Sequence, residues 1–131
     1  MSYRAQIPYG AYWSTPFARW QGSLAHLNSL EFAAWVAKRE LARRSIDPKA
    51  FDYGVLGFSV PQKHSFFGTP WVMGMVGAGQ AGGPTLMQAC ATGVRTLLAG
   101  VQEVEAGLAS CALVINCDRT SNGPHVVYPN P

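Results

Sequence analysis

The chain has 131 residues, 48% of them hydrophobic and 13% charged, with a formal net charge of +3. Soluble proteins carry about 25% charged residues, so this chain is short of the groups that normally cover a lone domain's exposed surface. High apolar content with low net charge excludes a disordered chain, and the charge shortage points to a molecule that buries surface against a partner or against more of its own fold.

The positive charge is local. Lys38, Arg39, Arg43, Arg44 and Lys49 crowd one stretch, partly offset by Glu40 and Asp47. That reads as one solvated helix face, with no motif that reads DNA or RNA, so no nucleic-acid partner is expected. The opening Met-Ser-Tyr-Arg-Ala-Gln-Ile-Pro has no long apolar run and reads as no secretory signal. Cys90, Cys111 and Cys117 are too few and too close for a disulfide framework. They read as free thiols in a reducing compartment, and the expected location is cytoplasmic. From Ser65 to Val94 there is no Asp, Glu, Lys or Arg. Pro70, Gln80, Gly82, Gly83, Pro84 and Gln88 break that run, so it reads as core or subunit interface rather than as a membrane span.

In chain order, residues 4–13 are strand-like, with Pro8 suited to an edge or bulge. An irregular loop runs from Ser14-Thr15-Pro16 through Gly22. Asn28 or Ser29 caps a helix whose apolar positions Leu30, Ala33, Ala34, Ala37 and Leu41 keep helical spacing to about Arg44. Asp47-Pro48 begins a turn, and Tyr53 to Ser59 reads as a buried strand stopped by Pro61. Thr69-Pro70 opens a second helix through Met75. After the Gly-rich segment 77–83, Thr85 to Gln88 is a short strand. Thr92 to Ala106 is a third helix, with Val94, Leu97, Leu98, Val101 and Val104 on one face and Gly107 as its stop. Ala112 to Asn116 is an apolar, β-branched strand. Strands alternating with helices predict an α/β fold, a mostly parallel sheet covered by helices, over one unit spanning residues 1–131.

Two segments invite a chemical reading. Gly77-Ala78-Gly79-Gln80-Ala81-Gly82 matches G-x-G-x-x-G letter for letter. A dinucleotide fingerprint needs a strand before it and a helix after it. Here the predicted order is reversed, so the segment reads as a connector. Cys90, in Gln88-Ala89-Cys90-Ala91-Thr92-Gly93, stands where a short strand turns into a helix. The partial positive charge of a helix N-terminus favours a thiolate, and its N–H groups can stabilise an oxyanion on a thioester carbonyl. Small neighbours leave room for a substrate. On this footing Cys90 is either a nucleophile or a small core residue.

At this point the sequence resembles the N-terminal part of the thiolases, acyltransferases that make or cleave β-ketoacyl-CoA. Ser14-Thr15-Pro16-Phe17-Ala18-Arg19-Trp20-Gln21-Gly22-Ser23-Leu24 is similar to the family's R-T-P-F-G-K-x-x-G-S-L opening, and Tyr53 to Gly57 to its second strand. Gln88 to Gly93 is similar to N-x-x-C-[AS]-S-G around the nucleophile. Gly107 onward, ending Asp118-Arg119-Thr120-Ser121-Asn122-Gly123-Pro124, resembles G-G-x-E-x-M-S-x-x-P. The resemblance implies that Cys90 is the nucleophile, with its backbone N–H in an oxyanion hole. It offers Arg19 as a contact for coenzyme A phosphate and Trp20, with Phe17, as a wall of the acyl pocket. The plainer readings are a surface role for Arg19 and core or interface anchors for Trp13, Trp20, Trp35 and Trp71. No metal site is expected, and coenzyme A enters as part of the substrate and product rather than as a resident cofactor.

The departures are informative. Ser14 stands for the usual Arg, Pro61 to Phe67 departs from the family's contact loop, and Asp118-Arg119-Thr120 replaces the usual Glu and Met. The family's base His, Asn-containing oxyanion site and second Cys belong to segments further along than these residues. His26, His64 and His125 sit in no such motif and read as surface or core residues, and Cys111 and Cys117 as buried small hydrophobes. The expected partners are an acyl-CoA and either the rest of the thiolase fold or a complementary subunit, in a homo- or hetero-oligomer. The 131-residue polypeptide alone is expected to be inactive and poorly soluble. A decarboxylating ketoacyl-synthase-type enzyme and a non-catalytic thiolase-like subunit are the rival readings.

Overall fold

The computed structural model describes residues 4–123 and Pro129; Pro124 and His125 lie outside the described residues. Three parallel strands form one sheet in the order β2-β1-β3, where β1 is Tyr53–Gly57, β2 is Thr85–Leu86 and β3 is Ala112–Asn116. β1 pairs with β3 from Tyr53 opposite Ala112 to Gly57 opposite Asn116, and with β2 through Leu56–Thr85 and Gly57–Leu86. The helices are α1 (Ser29–Arg43), α2 (Gly68–Val76) and α3 (Thr92–Glu105). Travel from β1 to β2 is opposite in direction to travel from β2 to β3. Right-handed crossovers therefore send α2 and α3 to opposite faces of the sheet.

One face carries the larger core. Leu30, Ala34, Ala37 and Leu41 of α1 and Val72, Met73 and Val76 of α2 pack on Leu56, Leu113 and Ile115. The predicted α1 stripe is thus the buried one, except that Ala33 is only partly covered. Asn28 caps α1 as expected: its Oδ1 accepts from the N–H groups of Leu30 (3.0 Å) and Glu31 (3.3 Å). Gly77 closes α2 in the left-handed conformation, φ 99°. Segment 77–82 follows a helix and leads to β2, as a connector does. Gly83 must lack a side chain, because a Cβ there would meet the Gly54 carbonyl oxygen at 1.8 Å.

Three expectations change. Residues 4–13 form no strand. Pro8 has no N–H to offer a ladder, Ala11 N–H closes a turn on Pro8 O (3.0 Å), and Gly10 is left-handed at φ 81°. Arg44 holds the segment instead, donating from Nε to Gly10 O (2.6 Å) and from Nη2 to Tyr12 O (3.0 Å). Arg44 also pairs with Glu40 and lies over Trp13, so it is not one of a row of solvated cations. Thr69 is no cap: α2 starts at Gly68, and the Thr69 hydroxyl donates to Pro84 O at 2.7 Å, pinning α2 to β2.

Of the apolar face of α3, Val101 and Val104 are half-buried and the rest is exposed. Thr92, Thr96 and Gly100 make the buried row, whereas Val94 is 74% exposed, Leu97 43% and Leu98 44%. Small residues win that face because the sheet is close. A Cβ at Gly100 would lie 2.9 Å from Val114 Cγ2, and one at Gly57 would lie 2.6 Å from Thr96 Cγ2. The uncharged run accordingly divides: α2 is core, while Phe66, Phe67, Met87 and Val94 are exposed.

Candidate active site

In the strand order β2-β1-β3, the chain leaves β1 in one direction and crosses back to enter β3 on the other side. Ligands in parallel sheets bind in the crevice at such a reversal, beyond the carboxyl ends of the strands. An open cleft of about 490 Å³ lies there, lined by Gly57, Ser59 and Val60 after β1, by Asn116, Cys117 and Asp118 after β3, and by Ala89, Cys90 and Thr92 at the start of α3.

Cys90 is exposed, in a single 3-10 turn (Ala89–Ala91) that runs directly into α3. That turn is strained and firmly held. Ala89 has φ +47°, a left-handed conformation that costs a residue with a Cβ about 1–2 kcal/mol. Its carbonyl accepts from Thr92 Oγ1 (2.7 Å) and Ser59 Oγ (3.1 Å). Thr92 Oγ1 in turn accepts from Gln88 N–H at 2.9 Å. Strain kept in place by surrounding hydrogen bonds is typical of functional turns, and here it presents the Cys90 thiol to the cleft.

The opposite wall is equally fixed. Asp118 accepts from Ser59 N–H (2.9 Å) and Val60 N–H (2.7 Å), which ties the segment after β1 to the segment after β3. Asn116 Oδ1 accepts from the buried Thr96 hydroxyl at 2.8 Å. That contact needs Gly57, where a Cβ would come within 2.2 Å of the same oxygen.

Cys117 lines the cleft and Cys111 enters β3, and both are partly buried against the core. Burial pushes the Cys117 thiol up to about 12; Asp118 adds to the rise and the Ser29 hydroxyl opposes it. Burial, aided by Asp52, also raises Cys111. These thiols remain protonated near neutrality and are poor nucleophiles. Both were read as buried small hydrophobes; each packs on the core and keeps some exposure.

Arg19 and Trp20 are exposed and do not line the cleft. Their loop is fastened next door: Gln21 N–H donates to Ser121 Oγ at 2.7 Å and its side chain to Asn122 Oδ1 at 3.1 Å. His26 and His64 are exposed, the latter edge-on to Trp71 at 6.0 Å. Trp13 and Trp71 pack on the core, while Trp35 is exposed under the Arg39 guanidinium. Sequence reasoning missed Ser59, Thr92, Thr96 and Asn116 as site residues. The signal available for Ser59 and Asn116 was position, just beyond the carboxyl ends of two predicted parallel strands. Among the described residues no three His, Cys, Asp or Glu side chains converge to hold a metal ion, and no helix is long and apolar enough to cross a membrane.

Known proteins place this geometry. No curated protein matches the sequence. Solved structures do. An acetyl-CoA acetyltransferase from Bacillus anthracis superimposes with a TM-score of 0.75 at 16% identity, over 85% of this chain and 28% of that one. Human mitochondrial 3-ketoacyl-CoA thiolase, in complex with CoA, gives 0.66 at 22% identity, over 72% of this chain and 25% of that one. An acetyl-CoA acetyltransferase from Syntrophomonas wolfei gives 0.61 at 27%, over 76% and 26%. The chain therefore spans about a quarter of the length of these structures. The family model "Thiolase, N-terminal domain" matches residues 11–131. That match takes in all three strands, all three helices and the Cys90 turn, and by it the chain belongs to the thiolase family, as an N-terminal domain.

Proposed function

We propose that the chain is the N-terminal part of an acyl-CoA acyltransferase in which Cys90 carries the acyl group. The carrying observation is the exposed Cys90 thiol in a strained, hydrogen-bonded turn at a helix start, facing the cleft at the sheet's carboxyl edge. Cys90 Sγ attacks the thioester carbonyl, the carbonyl–sulfur bond to coenzyme A breaks, and coenzyme A leaves as its thiol with the proton that Cys90 gave up. A second acyl-CoA, deprotonated at its α-carbon, then attacks the acyl-cysteine. A carbon–carbon bond forms and the cysteine thiolate is released. Run backwards, the same steps cleave a β-ketoacyl-CoA with coenzyme A. The covalent intermediate divides one difficult step into two. The Cys90 backbone N–H, at the positive end of α3, serves the oxyanion. Arg19, exposed on the loop that Gln21 joins to Ser121 and Asn122, meets a coenzyme A phosphate outside the cleft, whereas Trp20 does not line the cleft and takes no acyl-pocket role.

The base and the second half of the site come from the remaining part of the fold or from a complementary subunit. The exposed Val94, Leu97 and Leu98 on α3 favour such a cover, since neighbouring exposed apolar side chains commonly mark an interaction face. Free cysteines suit a reducing compartment such as the cytoplasm.

The test is mass spectrometry of the native-length protein after incubation with acetyl-CoA. One acyl group on the Cys90 peptide is expected, no adduct after Cys90→Ala, and a fall in turnover of about a thousandfold or more in that variant. An unmodified Cys90 that iodoacetamide also ignores would assign the chain a structural role instead.

A further inference from the structure

The Cys90 N–H that serves the oxyanion belongs to the peptide unit whose other end is the Ala89 carbonyl. In a trans peptide the C=O and the N–H point in opposite directions. Whatever holds Ala89 O therefore also aims the Cys90 N–H. Ala89 O accepts from Thr92 N–H within the 3-10 turn, from Thr92 Oγ1 at 2.7 Å and from Ser59 Oγ at 3.1 Å. The other acceptor near Ser59 Oγ is Thr92 Oγ1, farther away at 3.3 Å and already accepting from Gln88 N–H, so the Ser59 proton goes to Ala89 O. Thr92 is buried and Ser59 half-buried, whereas Ala89 and Cys90 are exposed. The carbonyl is thus turned into the protein and the Cys90 N–H out of it, where among the described residues it meets no acceptor.

The Thr92 bonds are local to the helix start, but Ser59 comes from another element. It follows β1, and its own N–H is held by both carboxylate oxygens of Asp118, beyond β3, at 2.9 Å each. Val60 N–H joins the same carboxylate at 2.7 Å. Ser59 thereby fastens the peptide ahead of Cys90 to the carboxyl edge of the sheet. Without its hydroxyl, the left-handed Ala89 is held by its own turn alone.

We propose that Ser59 is a positioning residue for acyl transfer: its hydroxyl, anchored through Asp118, aims and polarises the Ala89–Cys90 peptide so that the Cys90 N–H meets the thioester oxygen as it becomes negative. The proposal rests on the acyl-transfer reading of Cys90. A hydrogen bond accepted at a peptide's carbonyl strengthens the same peptide's N–H as a donor. A donor fixed before the reaction needs no reorganisation when the charge develops. Ser59 touches no reacting atom and acts through the Cys90 N–H.

The experiment compares two reactions of Cys90 in the native-length protein and in its Ser59→Ala and Ser59→Thr variants. Single-turnover acylation by acetyl-CoA passes through a tetrahedral oxyanion. Alkylation by iodoacetamide displaces iodide at a saturated carbon and forms none. In Ser59→Ala, acylation should slow about tenfold, less than the hundredfold or more that losing an oxyanion donor outright costs. Alkylation should keep its wild-type rate, and so should the acetyl-CoA concentration that gives half-maximal acylation, because ground-state binding is untouched. Ser59→Thr keeps the hydroxyl and should restore the acylation rate. Equal slowing of both reactions in Ser59→Ala overturns the proposal, since it marks a turn that has lost its shape. Acylation at the wild-type rate in Ser59→Ala overturns it as well. If wild-type Cys90 takes no acyl group, the acyl-transfer reading fails and this inference falls with it. If wild-type and Ser59→Ala proteins are acylated alike, only this inference fails.

Discussion

At the scale of single residues, Thr92 links the helix to the turn that presents Cys90. Its hydroxyl accepts from Gln88 N–H and donates to Ala89 O, bracketing the left-handed residue. Thr92→Val keeps the shape and removes both bonds, leaving the Gln88 N–H without its partner. The expected result is a loss of about 1–3 kcal/mol in denaturant unfolding. Acylation of Cys90 should also slow by as much as about a hundredfold, the cost of misplacing a reacting atom. Thr92→Ser should restore most of both. Full-rate acylation in Thr92→Val would show that the turn keeps its geometry without the hydroxyl.

At the scale of elements, α3 carries two stripes, and only one meets the sheet. Thr92, Thr96 and Gly100 pack inward, and Leu97 and Leu98 point away. Changing both leucines to lysine should raise the soluble fraction of the 131-residue polypeptide, read by centrifugation after expression. With the proposed cover present, the same pair should lower the yield of folded material, because the lysines would have to be buried beneath it. Equal behaviour in both settings would mean that nothing packs on α3. This helix also marks the limit of what the sequence discloses. Apolar periodicity gave α1 its buried stripe correctly, since Leu30, Ala34, Ala37 and Leu41 are the core. On α3 the apolar face that periodicity picks out is not the one on the sheet, because the sheet side selects small residues for close approach rather than large apolar ones. The place of Cys90 at the start of α3 was legible because its turn and its helix are contiguous in sequence. Asn116, Thr96 and Gly57 were not, because they meet only when β1, β3 and α3 are brought together. The strand expected over residues 4–13 failed for a local reason, a proline and a left-handed glycine two positions apart in a turn.

At the scale of the whole molecule, stability should fall on both sides of neutrality for identifiable reasons. Asp52 joins the entry to β1 with the entry to β3, accepting from Cys111 N–H (2.9 Å) and Ser110 N–H (2.9 Å). The Cys111 N–H first, then Ser110, holds its carboxyl below the usual carboxylate range. A carboxyl with a depressed folded value stabilises the fold above its unfolded value, about 3.9, and that contribution is lost as pH falls through the folded value. Glu40, lowered chiefly by its hydrogen bond to Arg44, acts in the same direction. Cys117 works the other way round. Its thiol stays protonated to about 12 in the fold, whereas in the unfolded chain it ionises near 8.5. Its contribution is complete below the unfolded value and is lost as pH rises toward the folded one. Urea unfolding across pH should therefore show an acid limb that Asp52→Asn flattens and an alkaline limb that Cys117→Ala flattens. The alkaline flattening should be partial, because burial also raises Cys111 and Tyr53. An alkaline limb of unchanged slope in Cys117→Ala would show that this thiol is not shielded by burial, and that Cys90 is not the only cysteine available for chemistry in the cleft.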